Sequence, residues 1–355
     1  MKRVLLIALL LVLASGCAGS PSPVGTLRFV NAEPVRVIND RNHVPAVPAE
    51  NPFPKSLYHF DGHFHKRITR WLEMRGSLRA ANVNSMDEVP NSTWFTNRIG
   101  VRDMSLAEIK KGPPDGLGSP EPHRPWTIVS SKVGGKSVGF IIKDARGVMY
   151  LLKFDPKGFP ETDTAADVIV ARLLYACGFN VPEDHVVYFH RDDLVLSPKA
   201  KVKDPFGNKS PLTEKFFEGE LAKVNVEPDG NIRGLVSRFI PGEVLGPAIR
   251  DWTRADDPND RLPHYLRRDL RGQYSIFSWL DHTDIKGDNT LDVYSDDHGD
   301  PGTKYVKHYL LDFGNALGVQ GSVNDQKFLG YAHLLDFHEL GKSLLSLGFY
   351  LRPWE

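Results

Sequence analysis

The sequence predicts an α+β fold in which an antiparallel sheet comes first and a mainly helical part follows. Three strand-like runs lie between residues 126 and 154, and a further apolar strand is predicted at 235–240. Amphipathic helices are predicted at 164–177 and 263–280. Turn residues separate the short strands, which favours pairing between sequential strands in one sheet.

The chain begins with the pattern of a secretory signal peptide. A basic start, an apolar run and small residues occupy positions 1–17, and the run is too short to span a membrane. Its end, Leu-Ala-Ser-Gly-Cys17, resembles a bacterial lipobox. The resemblance implies a lipoprotein held at the cell envelope, on its periplasmic or extracellular face, by a lipid on Cys17. Ordinary signal cleavage, which releases a soluble protein, is the alternative.

Composition indicates a globular body. Hydrophobic residues make up 41% of the chain, and 44 Lys and Arg residues balance 44 Asp and Glu residues. No net charge is left to attract a polyanion, so we expect no nucleic-acid partner.

Residues 18–55 are predicted to form an extended tether. They contain seven prolines and few periodic runs, which is typical of a stiff spacer between membrane and body. A turn-rich stretch at 112–122 then marks the boundary between an accessory region at 56–120 and the predicted sheet at 121–240.

The accessory region at 56–120 offers two candidate ligand sites. Three histidines lie near its start: His59, His63 and His65. No cysteine or acidic ligand completes a familiar zinc spacing, so surface or interface histidines are favoured over a metal site. The stretch 83–98 has neither helical nor strand period. It is interpreted either as a ligand-binding loop or as a loop that Trp94 packs across the body.

The first two strands of the predicted sheet flank a glycine turn that contains Gly134 and Gly135. The turn resembles the end of a Walker A motif, but Ser130 stands where that motif needs glycine, and the turn does not open a helix. We therefore reject that interpretation. Backbone N–H groups of the two glycines can approach phosphates, and a simple hairpin turn is the alternative. The third strand carries Lys153, which must reach a partner or extend to solvent.

The elements between the third strand and the second half of the chain follow from turn and capping signals. Thr164 and Asp167 are spaced like a capping pair at the start of the predicted helix. A hairpin is predicted around 191–193 and a helix at 212–224. Pro241-Gly242 is predicted to be a hinge.

The polar stretch from Asp281 to Leu291 separates an apolar helix from a short strand. Phosphoryl transfer needs a carboxylate that orients the attacking hydroxyl, a cation near the moving group, and an oxygen ligand for magnesium. Asp284, Lys286 and Asn289 supply these groups within six residues. A second acidic residue, Asp312, ends a neighbouring apolar strand in the sequence Asp-Phe-Gly.

Two motifs resemble those of the protein-kinase-like superfamily. His282-Thr-Asp-Ile-Lys-Gly-Asp-Asn289 is similar to the His-Arg-Asp-Leu-Lys-x-x-Asn loop of protein kinases, with Thr283 in place of arginine. Asp312-Phe-Gly314 matches the metal-binding triplet. Aminoglycoside phosphotransferases and HipA-like kinases share this order of motifs, so the resemblance indicates the superfamily and does not select a branch.

The resemblance implies a two-lobed kinase-like fold, with an N-lobe at 121–240 and a short C-lobe at 241–355, and an atypical kinase that uses Mg²⁺ and ATP. In the C-lobe Asp284 orients the acceptor hydroxyl, Lys286 stabilises the transferred charge, and Asn289 and Asp312 bind magnesium. The acceptor is an unknown protein or small molecule.

The resemblance also implies how the N-lobe holds the nucleotide. Lys153, Gly134 and Gly135 contact the phosphates, and Lys153 pairs with an acidic residue on the next helix. Asp167 is the predicted partner, and Glu161 is the alternative. A purely electrostatic role of Asp167 at the helix N-terminus is nearly as well supported.

Three features depart from an ordinary kinase. Residues 315–355 contain one predicted helix, at 337–347, and no Ala-Pro-Glu sequence, which predicts a compact or truncated C-lobe. The acidic stretch 295–302 is interpreted as a solvated hairpin tip in preference to a calcium site. Export to an envelope poor in ATP favours the rival hypothesis, a non-catalytic kinase-like lipoprotein that acts as a binding scaffold.

Overall fold

A mixed sheet of seven strands and an antiparallel sheet of three organise this α+β chain in the computed structural model. The structure describes residues 39–51, 78–84, 86–113, 117–132, 137–203, 208–249, 252–282, 284–296 and 302–319, with isolated positions at 60, 68, 72, 300, 341–342 and 344–346. Several predicted features lie outside these residues: Cys17, His59, His63, His65, Gly134, Gly135 and most of the helix at 337–347.

The described strands and helices alternate irregularly along the chain. The large sheet comprises β1 (Trp126–Ser131), β2 (Gly139–Lys143), β3 (Met149–Lys153), β4 (Asp184–Phe189), β5 (Leu194–Lys203), β6 (Lys209–Pro211) and β7 (Ile232–Arg238). The small sheet comprises β8 (Glu243–Gly246), β9 (Thr290–Asp296) and β10 (Lys304–Leu310). The described helices are α1 (Leu106–Lys111), α2 (Asp163–Ala176), α3 (Glu214–Leu221) and α4 (Arg268–Trp279). No helix in these ranges is long and apolar enough to cross a membrane.

The large sheet has the strand order β4-β7-β3-β2-β1-β5-β6. Antiparallel pairing of β1 with β2 and of β2 with β3 confirms the three sequential strands that the pattern predicts. Alternation along β3 buries Tyr150 and Leu152 in one core, whereas Lys153 points to the opposite face, where α2 lies. The sheet therefore places Lys153 on the face that packs against α2.

The hairpin predicted around residues 191–193 is wrong. Residues 191–193 form a 3-10 turn, but β4 pairs with β7 and β5 pairs in parallel with β1. The turn signal was local, whereas β7 offers β4 six consecutive partners from Ile232 to Ser237. Long-range pairing of that length outweighs a two-strand hairpin, which is only marginally stable by itself.

The helices predicted at 164–177, 212–224 and 263–280 are present with ends that differ by a few residues, whereas α1 was not predicted. The predicted helix at 263–280 is a 3-10 turn at His264–Leu266 followed by α4. The capping pair of Thr164 and Asp167 is not formed. Instead Asp155 accepts hydrogen bonds from the Thr164 backbone N and Oγ1, at 2.9 and 2.8 Å, and so satisfies the first turn of α2.

A second apolar cluster joins α2 and α4 to the end of β10. It contains Leu174 of α2, Phe277 of α4, Leu310 of β10 and Phe313, each no more than 5% exposed. Because the cluster fixes α2 against the chain that leaves β10, the residues on either side of Phe313 lie close to the buried face of α2. This packing sets the geometry of the site described below.

Residues 39–51 pack on the small sheet, so the predicted tether does not hold for this part of the chain. Val44 is buried, its N–H donates to Lys304 O at 2.7 Å, and its carbonyl accepts from the Tyr294 hydroxyl at 2.7 Å. The Asn51 N–H donates to Leu245 O at 2.6 Å. Paired backbone and a buried valine give this segment interactions that a free spacer lacks.

Candidate active site

Lys153 joins three elements through two carboxylates. Its Nζ lies 3.2 Å from Asp167 Oδ2 on α2 and 2.7 Å from Asp312 Oδ1 after β10. Burial alone would lower the pKa of the ammonium, but the attraction of both carboxylates outweighs burial and raises the pKa above its ordinary value. The ammonium is therefore charged at every physiological pH. The alternative partner, Glu161, is exposed and lies 3.9 Å from Arg233.

Asp167 also anchors the backbone of the Asp-Phe-Gly sequence. Its second oxygen, Oδ1, accepts a hydrogen bond from the Phe313 N–H at 3.1 Å, and the residue is 4% exposed. One buried carboxylate thus holds a lysine from β3 and a backbone amide from the segment after β10. This double contact gives Asp167 a specific role beyond helix-terminus electrostatics.

Asp312 sits in a backbone conformation that side chains rarely adopt, with φ of 61°. Contacts on both sides hold it there: Leu311 N donates to Asn289 O at 2.9 Å, and the buried Phe313 ring packs edge-on against His282 at 5.7 Å. Enclosure by the protein would raise the pKa of the Asp312 carboxyl, but the Lys153 charge and hydrogen bond outweigh it and hold the pKa below its usual value. The carboxylate is ionised and its side chain is 47% exposed.

The polar loop before β9 is closed by its own side chains. Lys286 Nζ lies 2.9 Å from Asp284 Oδ2, and Asn289 Nδ2 donates to the Asp284 carbonyl at 2.8 Å. Asn315 Nδ2 donates to Asp284 Oδ2 at 3.4 Å. Burial would lower the pKa of Lys286, but the hydrogen bond to Asp284 and the negative charges of Asp284, Asp312 and Asp288 together outweigh burial and raise it. The loop therefore presents a charged pair just before a short 3-10 turn at Gly287–Asn289.

The structure brings Asp284, Lys286, Asn289, Asp312 and Lys153 into one polar cluster, which we call the Lys153 cluster. Leu311 N bonds Asn289 O, which places the two motifs side by side, and the charge of Lys286 lowers the pKa of the Asp312 carboxyl together with Lys153. Ammonium groups and carboxylates alternate within the cluster. Such an arrangement can hold phosphate oxygens and a cation at the same time.

Two residues near the Lys153 cluster, Lys132 and Asp163, were not predicted from the sequence. Lys132 follows β1, donates to Ser137 Oγ at 2.7 Å, and has its pKa lowered by burial and by the nearby Lys153 charge. Asp163 begins α2 beside Gly314, where a Cβ would lie 3.5 Å from that of Asp163. Among the described residues Asp163 Oδ1 has no hydrogen-bond partner. Only the position of Lys132 next to the glycine turn could have drawn attention to it.

Asp163→Asn should stabilise the protein at alkaline pH and have little effect near pH 4. Burial, then Asp155 and Asp167, raise the pKa of Asp163 to about 6. The native state therefore holds this proton more tightly than the unfolded state, so stability falls as pH rises from about 4 to 6. A difference of roughly two pKa units corresponds to about 3 kcal/mol at most, and partial exposure reduces it to about 1–3 kcal/mol.

Urea unfolding of wild type and Asp163→Asn at pH 4 and pH 8 measures this difference. The exposed Asp229→Asn serves as the matched control, because backbone and side-chain hydrogen bonds with Asn231 lower the pKa of Asp229. That variant should show no gain in stability at pH 8. An equal effect of Asp163→Asn at both pH values would contradict the raised pKa.

The sequence matches no protein-family model, and no curated protein matches it either. Geometry and residue chemistry are therefore the basis for assigning a function.

Proposed function

We propose that this chain is an atypical kinase that transfers a phosphoryl group from Mg²⁺-ATP to a hydroxyl acceptor. One observation carries the proposal: the Lys153 ammonium links Asp167 on α2 with Asp312, which lies 159 positions after Lys153 and beside the loop of Asp284 to Asn289. A lysine that joins a strand, the following helix and an Asp-Phe-Gly carboxylate is the arrangement that protein kinases use to hold nucleotide phosphates.

The fold is consistent with a two-lobed kinase, which is the finer architecture that we propose. The strand run β4-β7-β3-β2-β1 with α2 inserted between β3 and β4 corresponds to a kinase N-lobe, and β5, β6 and α3 are then an insertion. Pro241-Gly242 follows β7 as the proposed hinge. At Gly242 φ is 126° and a Cβ would lie 2.6 Å from Tyr294 O, so only glycine fits there.

The proposed chemistry assigns one task to each charged group. Asp284 orients the acceptor hydroxyl and takes its proton as the acceptor oxygen bonds to the γ-phosphorus. The bond from that phosphorus to the bridging oxygen breaks, and ADP leaves with the electron pair. Lys286 and Lys153 stabilise negative charge on the phosphate oxygens. The lysines and the carboxylate thus act on different atoms of the same reaction.

The residues present fit a magnesium ion. Asn289 uses Nδ2 to bond the Asp284 carbonyl, which leaves its amide oxygen as the coordinating atom, and Asp312 offers an ionised, half-exposed carboxylate. In the described ranges no group of three or more His, Cys, Asp or Glu side chains forms a metal site by itself. Magnesium commonly completes its shell with phosphate oxygens and water, so two protein ligands suffice. When bound, it would neutralise charge on the transferred group.

We further propose that a lipid on Cys17 anchors this kinase at the cell envelope. The support is the lipobox-like end of the leader, Leu-Ala-Ser-Gly-Cys17, with its basic start and apolar run. Metabolic labelling with a radioactive fatty acid tests the anchor. Incorporation that disappears in Cys17→Ser supports it, and release of an unlabelled soluble protein contradicts it.

A scaffold without catalysis is the second candidate, and one contact favours it. The Lys153–Asp312 distance of 2.7 Å shows that the lysine can neutralise this carboxylate without a metal. Asp167 and Asp312 can therefore both be ionised in the Lys153 cluster without a bound metal ion. A binding scaffold could retain the cluster for stability alone, so nucleotide binding has to be measured.

Mg²⁺-ATP should bind the full-length chain at micromolar or tighter affinity, and Asp312→Ala should weaken that binding about 100-fold or more by removing a metal ligand. Isothermal titration calorimetry with ATP, with and without magnesium, measures both effects. Asp296→Ala is the matched control, because Asp296 is also an exposed carboxylate that contacts a lysine, at 3.7 Å from Lys304. It should bind like wild type. No binding under either condition would favour the scaffold.

A further inference from the structure

A cavity of about 550 Å³ opens beside the polar loop that contains Asp284. This volume suits one small organic molecule. Its walls come from the segment before α4, from α4 itself and from the loop residues Ile285, Lys286 and Gly287. The cavity is therefore adjacent to the proposed reaction centre and shares Lys286 with the Lys153 cluster, whereas Asp284, Asp312 and Lys153 do not line it.

Aromatic rings form much of the cavity wall. Trp94, Tyr265, Tyr274 and Phe277 line it, and Tyr274 is 74% exposed, so one ring face is available at the mouth. Trp94 packs its ring on His308 at 4.0 Å, with the planes 5° apart. Because stacking immobilises that indole, its edge is a rigid part of the wall. Trp94, from the stretch 83–98, therefore packs on the body and also lines the cavity.

Two buried hydrogen-bond donors in this wall are unused. Trp94 Nε1 and Gln273 Nε2 have no partner among the described residues, and the Trp94 side chain is 5% exposed. A buried donor without a partner is rare in native proteins, and a ligand that accepts hydrogen bonds is one explanation. Both atoms belong to residues that line the same cavity.

The charges of the wall select among ligands. Arg271 and Lys286 are its formal cations, and none of the described lining residues is Asp or Glu. Arg271 is fixed by hydrogen bonds to Tyr265 O and Leu78 O, each at 2.7 Å. A polyamine such as an aminoglycoside would find no carboxylate among the described residues that line this cavity. A neutral or anionic molecule meets no such penalty.

We propose that this cavity binds the phosphoryl acceptor and that the acceptor is a neutral or anionic sugar. A sugar ring offers an apolar face for Tyr274 and oxygen acceptors for Gln273 and Trp94. Lys286 connects the cavity to the chemistry, because its Nζ lies 2.9 Å from Asp284 Oδ2. A sugar hydroxyl next to Lys286 is then within reach of the carboxylate that takes its proton. This inference rests on the proposed kinase function.

Saturation-transfer NMR on the full-length chain tests the ligand class. The probe is a mixture of N-acetylglucosamine, glucuronic acid and methyl glucoside, with kanamycin as the cationic comparison. We expect transfer to at least one sugar and none to kanamycin. Tyr274→Ala and Gln273→Leu should each weaken sugar binding about tenfold. Trp279→Ala should stay within about twofold, because Trp279 is an equally exposed aromatic of α4 that does not line the cavity.

The variants separate this inference from the kinase proposal. Asp312→Ala should bind sugar like wild type, because Asp312 does not line the cavity. Binding of Mg²⁺-ATP without any sugar, or binding of kanamycin, would overturn the sugar assignment alone. Sugar binding without Mg²⁺-ATP binding would overturn the kinase function and with it the acceptor role. Equal sugar affinity in wild type and Tyr274→Ala would place the sugar elsewhere.

Discussion

Asp284→Asn should lower the rate of phosphoryl transfer about 10²–10⁴-fold while the affinity for Mg²⁺-ATP changes little. The amide keeps the size of the side chain but cannot take the acceptor proton, and general-base catalysis contributes an effect of that order. Asp284 carries no proposed metal or phosphate contact, so nucleotide binding has no reason to change. The measurement is the rate of ADP formation with the sugar mixture or with water as acceptor, alongside calorimetric ATP binding.

Asp288→Asn is the matched control for this prediction. Asp288 lies in the same loop, on the 3-10 turn that follows Asp284, and is exposed. The same chemical change there should leave the transfer rate within about twofold. An Asp284→Asn variant with the wild-type rate would remove Asp284 from the mechanism. A variant that loses rate and ATP affinity together would indicate that the loop itself had collapsed, since Lys286 and Asn315 both bond this side chain.

Local sequence signals predicted the early strands and three of the described helices, α2, α3 and α4, but not the full topology. The succession β1, β2, β3 follows from short apolar runs with turns between them, and α2 and α4 follow from helical spacing. The return of β4 to β7 did not follow, because residues 191–193 contain a turn signal and sequence carries no measure of long-range pairing. Short-range rules describe neighbours along the chain, whereas β4 and β7 are separated by two strands and a helix.

The site shows the same division between local and long-range information. Lys153, Asp284, Asn289 and Asp312 stand in recognisable local contexts. Lys132 has no such local context. Its position near the Lys153 cluster depends on where β1 lies relative to α2 and the segment after β10. The cavity next to Asp284 could not be predicted from the sequence either, because its wall combines residue 94 with residues from 248 to 290. Chemistry that arises within one loop is predictable, and chemistry assembled across elements requires the fold.

Lys153→Met should destabilise the protein by about 3–5 kcal/mol in the absence of nucleotide and magnesium, as measured by urea unfolding. The substitution leaves Asp167, whose side chain is 5% exposed, without its cation, and breaking a buried pair from one side has a penalty of that size. Asp312 contributes less of the loss, because its side chain is 47% exposed and water can solvate it. Asp184 responds to the same change: burial and then Asp167 already raise its pKa well above the ordinary value, and Lys153→Met removes one of the charges that lower it.

A second substitution tests whether the unpaired charge causes that loss. Lys153→Met with Asp167→Asn should recover about half of the stability, because the amide can still accept from the Phe313 N–H but carries no charge. Lys304→Met, which breaks an exposed pair with Asp296, should change stability by no more than about 1 kcal/mol. Were Lys153→Met as mild as Lys304→Met, the cluster would not be electrostatically coupled. If the double variant recovered no stability, the stability lost in Lys153→Met would come from packing of the lysine stem. In that case the charge of Lys153 would serve nucleotide binding and not the stability of the fold.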